Sequence, residues 1–288
     1  MAIAPGSRVA GYRLGRLLGS GSHGSVYLAE NLASRRVVAL KLVPLLAADA
    51  NGGDAAAAAA AAAAKQQFLR HAATAQGLQH PGVVTLHAAG VHGTMGWLAM
   101  EPVPGCDLQR YTVPARLLPE PVVLRVGARL AEALAHAHAL GVVHRDIKPA
   151  NVLVHWPGDI VKLADFGLAR TADAQATRTG LLLGSPGYMA PEQLAGGVPD
   201  ARTDFYALGV TLFQLLAGRL PFEGDTLGAL LRQVATSAAP DLRLLHPRLP
   251  AGVADLVARL LSHDADRRAE TAATLAQELH VAMRDLLR

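Results

Sequence analysis

The chain has 288 residues, 27 lysines and arginines against 23 aspartates and glutamates, a net charge of +4, one cysteine and 4% aromatic residues. Such a length suffices for one large or two modest domains, and the lone Cys106 excludes a disulfide framework or a cysteine-built zinc site and suits a reducing compartment. Basic residues never run beyond two, which argues against a nucleic-acid partner; the absence of a leader pattern in MAIAPGSRVAGY and of any long apolar run leads us to expect a cytoplasmic protein without a membrane span.

In chain order, the first feature is LGSGSHGSVYLAE, where Gly19, Gly21 and Gly24 have the spacing G-x-G-x-x-G. Dinucleotide-binding folds share this spacing, but there the last glycine opens a helix. Here Ser25–Leu28 is partly β-branched or aromatic, and Arg35–Val43 is a second strand-like run containing Lys41, so the pattern predicts a hairpin. A hairpin flap can lay backbone N–H groups over phosphates, and a lysine on the next strand can reach the same group. The region from Gly11 to Met100 reads as strands interrupted by one helix, which begins near Asp54 as N-cap, runs through the alanines Ala55–Ala64 and ends before LQHPGVV. After EPVPGCDL the apolar residues recur at helical spacing over 120–140, 203–218, 225–236, 251–261 and 271–287. A mostly β part thus precedes a mostly α part, with PVPG as a hinge.

The densest chemistry lies in GVVHRDIKPANVLV, residues 141–154, which sets His144, Arg145, Asp146, Lys148 and Asn151 between two apolar runs. ADFGLA follows, with Asp165 beside a glycine. Two carboxylates and an amide on neighbouring loops are oxygen ligands suited to Mg²⁺, with one carboxylate left to orient a hydroxyl, as phosphoryl transfer from ATP requires.

The glycine loop, HRDIKPAN, DFG and GSPGYMAPE occur in that order, and on these motifs the chain resembles the eukaryotic-like (Hanks-type) serine/threonine protein kinases of bacteria over residues 8–288. The resemblance implies an α+β, two-lobed fold: a β-rich N-lobe over 8–101, a hinge over 102–106 and a helical C-lobe over 107–288. It implies ATP with Mg²⁺, or Mn²⁺ in its place, in the cleft, and proteins with Ser/Thr hydroxyls as substrates. By matching positions, Leu18, Gly19, Ser20, Gly21 and Gly24 would cover the nucleotide, and Lys41 would neutralise its phosphates. Val26, Ala39 and Leu153 would sandwich adenine, Met100 would stand as gatekeeper, the backbone of Glu101 and Val103 would meet the adenine edge, and Asp107 would meet the ribose. Asp146 would orient the substrate hydroxyl, Lys148 would stabilise the transferring group, and Asn151 and Asp165 would hold metal. Plain core packing is the other reading of Val26, Ala39 and Leu153, and His144 is expected to be structural. Glu192 is expected to pair with Arg268, and Asp204 with the backbone near His144 and Arg145. Thr177 and Thr179 are the expected autophosphorylation positions, with Arg145 receiving the new charge.

One residue departs from the pattern. FLRHAATAQGLQHP places His71 where the family carries the helix glutamate that pairs with the strand lysine, and no acidic residue occurs from Ala55 to Gly77. The alternative to a protein kinase is therefore a pseudokinase or nucleotide-binding scaffold. A small-molecule phosphotransferase is disfavoured by the APE segment and by the arginine before Asp146.

Overall fold

The computed structural model describes residues 3–21, 24–45, 55–166 and 186–287. The chain divides into two compact units. Among the described residues, one contains those up to Gln79 and Val84–Val103, and the other contains His80–Val83, Pro104–Phe166 and the residues from Pro186 onward.

The first unit is a six-stranded antiparallel sheet with β1 (Arg8–Val9), β2 (Tyr12–Gly21), β3 (Gly24–Asn31), β4 (Val37–Pro44), β5 (Leu86–His92) and β6 (Met95–Met100) in the order β1-β2-β3-β4-β6-β5. The expected hairpin forms: β2 and β3 pair antiparallel through to Gly21 opposite Gly24. Period-two alternation sends Tyr27, Leu40, Leu42 and Ala99 into one core with Tyr12 and Leu14. The residues between them point the other way. There α1 (Ala55–Gln76) packs Phe68 and Ala72 against Leu86 and Leu98. Alanine-rich sequence favours this helix intrinsically, but a short chain of alanines is marginal in water, and the fully buried Phe68 anchors it. Truncating such a ring to alanine costs about 3–5 kcal/mol. Asp54, expected as the N-cap, lies outside the described residues.

The second unit is mostly helical. A three-stranded sheet orders β7 (Cys106–Asp107), β8 (Val152–His155) and β9 (Ile160–Leu163), and α2 (Glu120–Ala139) packs on β9. The four helical stretches expected further on are found at Ala201–Ala217, Leu227–Thr236, Ala251–Leu260 and Ala272–Leu286. The first of these is buried from Thr203 through Leu216, as a helix that is apolar on nearly every face must be. Among the described residues no helix is long and apolar enough to cross a membrane.

Candidate active site

In the first unit the ladder itself gathers the residues expected to meet a nucleotide. Val26 faces Lys41 across β3 and β4, and Ala39 faces Met100 across β4 and β6. The pleat puts all four on the face opposite the Tyr27–Leu40 core. Lys41 is only 5% exposed, whereas Leu18 is an apolar side chain left 43% exposed beside the glycine turn. Gly24 has φ of +116°, and a Cβ there would lie 2.0 Å from the carbonyl oxygen of Leu42, so the hairpin demands glycine at that position. Gly19 and Gly21 differ: among the described residues, a Cβ on either would meet nothing within 4 Å. Packing among the described residues therefore does not demand glycine at either position. Ser22 and His23 lie outside the described residues.

The chain leaves β6 through Glu101, Pro102, Val103 and Pro104. The N–H of Glu101 donates to the carbonyl of Thr85 at 2.9 Å, and neither proline has an N–H. Val103 is therefore the donor this stretch can offer to an adenine edge. His71 sits on α1 about 60° around the helix from Phe68, at the flank of the stripe that packs on the sheet.

In the second unit HRDIKPAN forms a loop fixed from below by one carboxylate. Asp204 is fully buried near the start of its helix. Its Oδ2 accepts the N–H of His144 at 2.8 Å, and its Oδ1 accepts that of Arg145 at 2.7 Å. Arg145 has φ of +70°, a conformation costly for a side-chain-bearing residue, and these bonds hold it there. The expected Asp204 contacts are thus present. A further partner was not expected: His138, on the last turn of α2, places Nε2 2.8 Å from Oδ2 of the same carboxylate. No local spacing links positions 138 and 204.

His144 is fully buried and both its ring nitrogens are engaged. Nδ1 accepts the N–H of Asp146 at 3.2 Å, so Nε2 carries the proton and donates to the carbonyl of Ala164 at 2.8 Å. The imidazole is a neutral strut. It also meets the ring of Phe166 edge-on at 4.5 Å, and Ala164 N–H donates to the carbonyl of Asn151 at 2.8 Å. Asp165, itself at φ +68°, is therefore pinned on both sides to the HRD–Asn loop.

Above that strut Lys148 Nζ donates to both oxygens of Asp146, at 2.9 and 2.7 Å. Asn151 Nδ2 donates to the Asp146 carbonyl at 2.7 Å and to its Oδ2 at 2.9 Å. With its nitrogen turned to Asp146, the Asn151 amide presents its oxygen on the other arm. No group of three or more His, Cys, Asp or Glu side chains is gathered for metal among the described residues. The Asp165 carboxylate and the Asn151 amide oxygen are instead donors of the kind a hard cation takes, with water completing its shell. Asp107 and Leu153 are direct partners across β7 and β8, so they too share one face. Cys106 is half-buried with Sγ 3.8 Å from the Tyr111 hydroxyl.

The expected scaffold pair is also present. Arg268 donates to both Glu192 oxygens, at 2.7 and 2.9 Å, while its guanidinium stacks over Tyr206. Thr177 and Thr179 lie outside the described residues.

Residues 12–280 match the family model described as the protein kinase domain. The chain belongs to that family. This kinase domain has the two-lobed α+β fold expected of it, its β-rich part in the first unit and its helical part in the second. It is similar to serine/threonine-protein kinase PrkC of Bacillus subtilis, 33% identical over 96% of this chain and 41% of that protein. It is similar to DNA damage-responsive serine/threonine-protein kinase RqkA of Deinococcus radiodurans, 37% identical over 99% of this chain and 42% of that protein. Similarity to serine/threonine-protein kinase PknJ of Mycobacterium tuberculosis is 36% identity over 98% and 47%. The kinase domain thus spans less than half the length of these relatives.

Proposed function

We propose that this kinase domain transfers the γ-phosphate of ATP to serine or threonine hydroxyls of proteins, its own activation segment included. The observation that carries the reading is the Asp146 carboxylate, held at once by Lys148 and Asn151 on a loop whose strained Arg145 is braced by a buried aspartate. Four kinds of support converge: that loop, glycines at 19 and 21 that packing among the described residues does not demand, the buried Lys41, and the names of the relatives. In this reading residues 8–101 form the N-lobe, 102–106 the hinge and 107–288 the C-lobe.

Each side chain then has one task. Leu18, Ser20 and the glycine backbone cover the nucleotide, Val26, Ala39 and Leu153 pack on the base, Met100 bounds the pocket, and Asp107 meets the ribose. Lys41 places a positive charge at the phosphates. Asp146 accepts a hydrogen bond from the attacking hydroxyl, orients its lone pair and takes the proton as the oxygen bonds to the γ-phosphorus and the bond from that phosphorus to the β–γ bridging oxygen breaks, releasing ADP. Lys148, already donating to Asp146, is placed to offset negative charge on the transferring group. Asn151 and Asp165 would hold Mg²⁺ or Mn²⁺, which when bound supplies charge neutralisation at the phosphates. The loop around Asp146 is preorganised by hydrogen bonds, so it is in position before substrate arrives.

Purified protein with Mg²⁺ and γ-labelled ATP tests the reading. Label is expected on the protein itself and on a generic basic protein substrate, and it should vanish in Asp146→Ala. Absence of label from wild-type protein that binds ATP would overturn the transferase reading and leave a nucleotide-binding scaffold.

A further inference from the structure

At the open end of the β5–β6 hairpin, at the edge of the sheet, a side chain acts in place of a backbone group. Strand β5 begins at Leu86, which is paired with Met100, the last residue of β6. One step beyond, Glu101 N–H donates to the Thr85 carbonyl at 2.9 Å. In a hydrogen-bonded antiparallel pair the reciprocal bond would run from the Thr85 N–H to the Glu101 carbonyl. Instead that N–H donates to the Glu101 side chain, Oε1, at 2.8 Å. The carboxylate has taken the ladder bond that its own carbonyl would make, so the carbonyl leaves the ladder just where the chain turns into Pro102.

We propose that the Glu101 side chain is a positioning group for base selection, closing a two-bond clamp with Thr85 that aims the Glu101 carbonyl. This inference rests on the nucleotide reading above. The residue before a proline is restricted to extended conformations, and Pro102 fixes the next φ, so a residue clamped at both its N–H and its side chain has little freedom left in its carbonyl. Val103 N–H follows as the donor of the stretch. An acceptor followed two residues later by a donor matches the adenine edge, with its exocyclic amine and ring nitrogen. Guanine carries a carbonyl where adenine carries the amine, so an aimed carbonyl opposes it electrostatically. Were the clamp absent, the carbonyl could return to the Thr85 N–H and the edge would lose its acceptor.

What the clamp requires is an acceptor at the end of the side chain rather than a charge. Glu101→Gln preserves that acceptor, whereas Glu101→Ala deletes it. Calorimetric titration with ADP, GDP and tripolyphosphate, each with Mg²⁺, reads base and phosphate binding separately, and melting midpoints without ligand read stability. Glu101→Ala should weaken ADP about fivefold and narrow the ADP-to-GDP preference by the same factor, with tripolyphosphate unchanged. Glu101→Gln should stay within about twofold of wild type for all three. An unchanged ADP-to-GDP ratio in Glu101→Ala overturns the clamp while leaving the nucleotide reading intact. A parallel loss of tripolyphosphate in that variant also overturns it, because the side chain would then be merely structural. Wild-type protein that binds neither ADP nor ATP would remove the nucleotide reading and the clamp together.

Discussion

Arg268→Ala should be among the most destabilising substitutions in the chain, and its cost can be worked from the contacts. The guanidinium is fully buried and spends its donors on both Glu192 oxygens, on the Arg202 carbonyl at 3.0 Å and on the Ser262 carbonyl at 2.9 Å. Truncation leaves the Glu192 side chain, 26% exposed, with its 3.2 Å bond from Thr203 but without a cationic partner. Breaking a buried pair in this way costs about 3–5 kcal/mol, which in a domain of this size lowers the melting midpoint by roughly 6–20 °C. Burial alone would push the Glu192 carboxyl up, but the hydrogen bonds from Arg268 prevail and hold it below its ordinary 4.5. A carboxyl depressed by folding contributes stability above its unfolded value, and that contribution disappears as pH falls through the folded value. Wild type should therefore lose stability more steeply than Arg268→Ala on acidification below about pH 4.5. Scanning calorimetry or fluorescence melts across pH would test both statements. The double replacement Glu192→Leu, Arg268→Leu should recover much of the loss, since no buried charge is then stranded. A midpoint for Arg268→Ala within about 2 °C of wild type would refute the reasoning.

Gly24→Ala should lower the melting midpoint because its Cβ would strike the Leu42 carbonyl, whereas Gly21→Ala should leave the midpoint alone and weaken ATP binding; a differential melt and a nucleotide titration separate the two. Lys41→Ala and Asp165→Asn should each remove nearly all label transfer while circular dichroism stays native, and chelation of divalent metal should do the same reversibly to wild type. Phosphopeptide mass spectrometry of active protein should find Thr177 and Thr179 modified, and Asp146→Ala protein should lack both. His71→Glu should raise transfer or nucleotide affinity roughly tenfold by giving the strand lysine a carboxylate at the family position; an unchanged or slower variant at every pH would show that Lys41 is held another way.

Local pattern carried most of the architecture. Glycine spacing followed by β-branched residues specified the β2–β3 hairpin, and 3.6-residue periodicity specified the helices, because each signal is confined to one element. The ordered motifs then supplied Asp146, Lys148, Asn151 and Asp165 and the distant pairs Glu192–Arg268 and Asp204 with the HRD backbone. What escaped was contact between side chains with no shared pattern. His138 reads as one more residue on the last turn of an amphipathic helix, and its partner lies 66 positions away. Glu101 was legible as a backbone contact, but nothing in EPVPG shows that its carboxylate folds back on Thr85. The boundary between units was likewise indistinct in sequence: His80–Val83 follows the long helix directly yet belongs with the helical unit, through Gly82 carbonyl accepting Leu163 N–H at 2.8 Å.

The buried Asp204 also sets a timetable for the protein's birth. Residues 144 and 145 leave the ribosome about 60 positions before the carboxylate that braces them, and at roughly 5–20 residues per second that gap lasts roughly 3–12 s. During this interval the nascent chain contains the whole HRD sequence but not the support that keeps Arg145 in its left-handed turn. Phosphoryl-transfer competence should thus appear only after the helix Ala201–Ala217 has emerged and docked. A nascent chain that ends between Asp165 and Asp204 would be chemically silent even with Asp146, Lys148, Asn151 and Asp165 already synthesised.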